Sequence, residues 1–158
     1  MTQVNRGDNA KKLIENAIKE KLIGEKQHNA LVFIASMQES GFSFEYWSDG
    51  ASEGWNPAYN GKDFGCVLIT NEFMFFICLD WNFGRSGIVE NNELKEFALA
   101  HTTICPQSPC KPPYCENNKN RWQIFGKQYE STCHSPLQFI SPNAKTLDNI
   151  KKLLIETR

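Results

Sequence analysis

Two runs, "FGCVLIT" (64–70) and "FMFFICLDW" (73–81), flank the turn letters "TNE", and neither offers a polar face. Successive side chains of a strand point to opposite sides, so Cys66, Leu68 and Thr70 alternate with Val67 and Ile69. In the second run Phe73, Phe75 and Ile77 alternate with Met74, Phe76 and Cys78. A sheet that is apolar on both sides needs cover on both: helices on one, and an extra layer or a partner chain on the other. Upstream, "FSFEYW" and "GWNPAY" are further short aromatic runs, and "SDG" and "NGKD" supply the turns. Together these segments predict an antiparallel meander.

The helical cover is legible as well. Residues 8 to 24 place Leu13, Ile14, Ala17, Ile18 and Leu22 on one face behind a cap at Asp8 or Asn9, with Gly24 as the stop. A second helix runs from Glu25 to Glu39, with Ala30, Leu31, Ile34, Ala35 and Met37 inward and Gly41 ending it. After the meander, "VENNELKEFALAHT" resumes helical spacing, with Asn91 or Asn92 near its start. "RWQIFGKQYES" and "LQFIS" read as strands, and "SPNAKTLDNIKKLLIETR" as a closing helix with Leu147, Ile150 and Leu154 on one face behind Pro142. The expectation is an α+β fold in one domain spanning 1–158, an antiparallel sheet packed with helices, with a cysteine-rich loop over 104–134. At 158 residues, 41% of them hydrophobic, with 11 Phe and 4 Trp, the chain can build such a core.

That loop, "ICPQSPCKPPYCENNKN" (104–120), has no helical or strand period. The "MTQVNRGDNAKKLIENAIKEK" start lacks the apolar core of a secretory signal, and no run is long enough to span a bilayer, so a cytoplasmic location is expected. Thiols stay reduced there, which ranks metal ligation ahead of disulfides for the six cysteines. Cys105, Cys110, Cys115 and Cys133, spaced C-x4-C-x4-C-x17-C, can surround one zinc ion at about 2.3 Å. Four thiolates fill the coordination shell, so such a zinc is structural. Prolines 106, 109, 112 and 113 restrict the unliganded loop and lower the entropy lost on ordering it. The spacing departs from paired C-x2-C knuckles, so disulfides, an iron–sulfur cluster and unrelated thiols stay open as alternatives, with His134 as a spare ligand. Cys66 and Cys78 read as core residues, and His28 and His101 as structural or surface histidines, His101 keeping a minor chance as a ligand.

The formal net charge of -1 gives no reason to expect a nucleic acid or an anionic membrane as partner. No phosphate loop, metalloprotease helix or nucleophile elbow is present, and the letters "DFG" at 63–65 stand without any companion kinase motif. Trp47, Trp55, Tyr59, Asp80, Trp81 and Arg85, on or beside the meander, are candidates to line a cleft for a flat or cationic small molecule, against the plainer role of filling the core.

"GWNPAYNGKDFGCVLI", "RWQIFGKQYESTCHSPLQF" and "SPNAKTLDNIKKLLIETR" resemble a domain-of-unknown-function family of small uncharacterised bacterial proteins, which combines a tryptophan hairpin, a cysteine loop, an "IFGK" strand and a terminal "IKKLL" helix. The resemblance implies an α+β fold of the kind used by gyrase-inhibitor-like ligand-binding domains. Cys105, Cys110, Cys115 and Cys133 match its cysteine-loop pattern, and it carries no catalytic residues to transfer. The expected function is non-enzymatic: binding of a small molecule or a protein partner by a domain with a structural zinc. The alternative is a thiol-dependent enzyme or redox sensor using the Cys105 to Cys133 cluster.

Overall fold

The computed structural model describes residues 6–77, 89–104, 122–124, 127–129 and 132–158. Helices α1 (Arg6–Lys21) and α2 (Gly24–Glu39) precede strands β1 (Ser43–Ser48), β2 (Glu53–Tyr59), β3 (Lys62–Asp63), β4 (Gly65–Ile69) and β5 (Phe73–Ile77). Helix α3 (Asn92–Ala100) leads into β6 (Thr102–Ile104). Strands β7 (Trp122–Ile124) and β8 (Lys127–Tyr129) pair with each other, and β9 (Thr132–Ile140) and helix α4 (Ala144–Thr157) follow. The α+β class is borne out, as are the meander and the four expected helices. Residues 78–81 of the last meander run lie outside the described residues.

Local chemistry accounts for the helix ends. The carbonyls of Lys19 and Leu22, left over where α1 stops, accept from the Gln27 side chain at 3.0 and 2.7 Å. Gly24, expected as a stop, is the left-handed residue (φ 61°) on which α2 begins. Asn91 Oδ1 accepts from the amides of Glu93 and Leu94 at the start of α3, and Asn143 Oδ1 from that of Thr146 at the start of α4. Asn60 and Gly61, with φ of 50° and 75°, join β2 to β3 in the two-residue turn that suits right-twisted strands.

The main sheet runs β1-β2-β4-β5-β9-β6, antiparallel throughout, with β3 attached to β2. Strand β9 inserts beside β5, and β6 closes the far edge. Between β6 and β9 the register slips. Thr102 faces Leu137 and Ile104 faces Thr132, so two steps along β6 answer to five along β9. Pro136, which has no amide to donate to a ladder, falls within that irregular stretch.

Cross-strand register sorts the side chains into two faces. Phe44, Trp55, Val67, Ile69, Phe73, Phe75, Ile77, Leu137 and Phe139 share one, each at most 3% exposed. The helices add Ile14, Ile18, Phe33, Ile34, Leu94, Ile150 and Leu154 to the same cluster. Phe33 of α2 meets Phe73 and Phe75 edge-on, with ring centres 6.2 and 5.7 Å apart, and Phe97 of α3 stacks on Phe139 at 5.6 Å. Two ion pairs pin the helical layer to the strand ends: Lys21 with Glu53 at 2.7 Å and Lys26 with Glu72 at 2.5 Å. Each is exposed and adds little to stability.

One backbone contact is especially tight. Gly65 has φ 141°, and a Cβ built there stands 1.9 Å from the Phe76 carbonyl oxygen across the β4–β5 pair. Gly65→Ala should cost about 3 kcal/mol or more, combining strained backbone with a clash that no side-chain rotation relieves. Gly61→Ala, where nothing lies within 4 Å, should cost only about 1 kcal/mol through its left-handed backbone. Urea denaturation of both variants checks the ordering.

Candidate functional site

The second sheet face follows from the same alternation. Trp47, Gly54, Cys66, Leu68, Met74, Phe76, Gln138 and Ile140 project opposite the helical layer. Trp47, Cys66, Leu68, Met74 and Phe76 are half-buried, whereas their neighbours on the core face are sealed. Ile140 is 67% exposed. The aromatic contacts that seat α2 and α3 all fall on the other side. An apolar band thus crosses five adjoining strands from β1 to β9 outside the helix-packed core.

Trp47 organises one end of this band. It sits opposite Gly54, and a Cβ at Gly54 would lie 2.8 Å from both the Trp47 ring and the Leu68 side chain. The missing side chain is what lets the indole lie across β2 toward β4. Burial pushes the Cys66 thiol above its ordinary ionisation range, and the nearby Trp47 N–H, a donor only, opposes that in part. Cys66 is a free thiol kept protonated, which makes it a poor nucleophile, and it lies half-buried on this face rather than in the helix-packed core.

The aromatic residues singled out from the sequence are divided between the two faces. Trp55 points into the core at 1% exposure, against Tyr46 at 5.7 Å, and its indole N–H has no acceptor among the described residues. Tyr59 shares the Trp55 face near the sheet end, packed on Phe42 at 5.3 Å, with the Arg158 guanidinium 5.1 Å from its ring centre. Trp47 stands on the opposite side of the sheet, so it does not join Trp55 and Tyr59 in one cleft. Asp80, Trp81 and Arg85 lie outside the described residues.

Of the proposed metal ligands, Cys105, Cys110 and Cys115 also lie outside the described residues, as does Cys78, while β9 carries Cys133 and His134. Strand pairing nevertheless brings the two ends of the cysteine segment together. Ile104 is the residue before Cys105, Thr132 is the residue before Cys133, and the two face each other across β6 and β9. Among the described residues no group of three or more His, Cys, Asp or Glu is arranged to hold a metal ion. His101 is committed to packing. Its ring lies 4.6 Å from Phe97 and 4.9 Å from Phe139, and its Nδ1–H donates to the Phe97 carbonyl at 2.8 Å. Phe139 is six positions along β9 from Cys133.

A feature without any sequence signal lies on the helical side. Ser36 and Lys151, 115 positions apart, are hydrogen-bonded across a cleft of about 210 Å³ between α2 and α4. His28, itself exposed, is among its lining residues. No helix among the described residues is long and apolar enough to cross a membrane. No protein-family model, curated protein or solved structure matches the chain.

The Trp47–Gly54–Cys66 arrangement makes a direct prediction. Iodoacetamide should modify Cys66 more slowly than a free cysteine at the same pH, with a rate still rising where the free thiol has levelled off. Gly54→Ala should displace the Trp47 ring and accelerate that modification. Peptide mass spectrometry of the Cys66 fragment gives both rates.

Proposed function

We propose that this chain is a non-enzymatic binding domain that presents its open sheet face to a protein partner. The carrying observation is the apolar band from Trp47 through Leu68, Met74 and Phe76 to Ile140, exposed or half-exposed on the side away from the helices. Large apolar patches on a protein surface mark interaction sites, because leaving them in water is costly and covering them recovers about 25 cal/mol for each Å² removed from water. A protein partner suits this surface better than a flat small ligand, since Trp47 and the Trp55–Tyr59 pair stand on opposite sides of the sheet. Glu45 and Ser43 on β1 furnish a polar rim at the edge, the arrangement typical of interaction surfaces.

In the same reading a zinc ion held by Cys105, Cys110, Cys115 and Cys133 staples the segment between β6 and β9. The pairing of Ile104 with Thr132 supports it, because the first and last cysteines each follow a residue of one cross-strand pair. The function of such a zinc is structural: it replaces the hydrophobic burial that a proline-rich, apolar-poor loop lacks.

Two measurements test these statements separately. Replacing Leu68 and Phe76 together by Asp, in a variant whose folding is confirmed by circular dichroism, should abolish retention of a stoichiometric protein partner by the immobilised chain. Equal retention by parent and variant sinks the sheet-face reading. Elemental analysis of protein purified without added metal should find about one zinc per chain, falling to background in Cys133→Ser, and a chelator should expose thiols to alkylation that were protected before. Metal-free protein with fully reactive thiols, or with sulfurs bonded to one another, overturns the zinc.

A further inference from the structure

The cleft between α2 and α4 carries a chemistry independent of the sheet face. Its floor is apolar, made by the buried rings and branches of Phe33 and Leu147, and Val32 forms a wall at 55% exposure. Among its polar residues, which also include His28, Asn29 and Asp148, Lys151 donates to Ser36 Oγ. Asp148, also on the rim, is paired with Lys152 at 2.7 Å, which leaves the Lys151 ammonium with no carboxylate partner among the described residues. An ammonium has three donors, and the bond to Ser36 uses one.

We infer that this cleft binds a small organic carboxylate with an apolar body, the carboxylate on Lys151 and Ser36 and the body on Phe33 and Leu147. Ser36 is suited to this because its hydroxyl, while accepting from Lys151, still has a proton to donate to a second oxygen. A charge-assisted bond at a half-buried lysine outweighs a neutral one, so the site discriminates by charge before shape. The volume of about 210 Å³ takes a molecule of about ten non-hydrogen atoms, at roughly 20 Å³ each in close packing. A ligand of that size on a half-open surface binds with a Kd on the order of 0.1–1 mM. His28 in the lining adds a ring against which a flat body can rest.

Phenylacetate, with ten non-hydrogen atoms, is the probe, and phenylacetamide is its uncharged counterpart of the same shape. Titrated into the full ¹⁵N-labelled chain, phenylacetate should give saturable amide shifts centred on Phe33, Ser36, Leu147 and Lys151. Phenylacetamide should bind at least tenfold more weakly. Lys151→Met should remove most of the carboxylate affinity, and Val32→Trp, which fills the cleft from an exposed position, should block both probes. The comparison of the two probes needs no mutation, so it stands even where a variant folds poorly. Equal affinity for the two compounds, undiminished binding by a folded Lys151→Met chain, or an absence of saturable shifts at these amides up to 10-fold above the expected Kd range overturns the proposal.

Discussion

The architecture depends on burial of one sheet face beneath a helical layer, and the contact of Phe33 with Phe73 and Phe75 lies at its centre. These rings are close to fully buried, and Phe33 approaches both partners edge-on, the geometry in which the positive ring edge meets the negative face. Burying a side chain of this size contributes about 1.5–3 kcal/mol, and several such residues line the same interface. Because β5 lies between β4 and β9, anchoring α2 on it also fixes the helical layer over the middle of the sheet. The opposite face then stays outside the core as a geometric consequence, since strand side chains alternate and all the helices contribute to one cluster.

Topology has a second consequence for the cysteine segment. The chain leaves the sheet after β6 and returns in β9, and those strands are neighbours, so the segment begins and ends at one edge. A loop whose ends are already held together needs less cross-linking to order it than a free one, because part of its closure entropy is met by the sheet. The slipped register between β6 and β9, with Pro136 in the irregular stretch, makes that edge a place where regular pairing is interrupted.

Much of this was readable from short-range chemistry. The period of Ile14, Ala17 and Ile18, the Asn91 cap, the turn at Asn60–Gly61 and the double-sided apolar alternation at 66–77 each specify local structure through interactions within a few residues. That both faces of the β4–β5 pair are apolar followed from that alternation. Which tryptophan faces which side did not. Trp47 and Trp55 differ by eight positions, an even number, yet end on opposite faces, because the turn between β1 and β2 resets the parity that the alternation rule counts. The pairing of Ile104 with Thr132 and the meeting of Ser36 with Lys151 were likewise out of reach. Both join residues far apart in the chain, and no local pattern encodes a distance that arises from stacking α4 on α2.

The amino-acid sequence by itself determined the four helices, the strands of the meander, their order and the fact that both faces of the β4–β5 pair are apolar, since these arise from side-chain period and backbone preference. The cap expected at Asp8 or Asn9, by contrast, falls inside α1, and the run read as one strand at 121–131 forms the β7–β8 pair. Tertiary structure alone decided which face the helices took, where β9 inserted, and which lysine was left beside a serine over an apolar floor. The reason is physical: local rules act through neighbours in the chain, whereas face selection and cleft formation depend on how whole elements share one core.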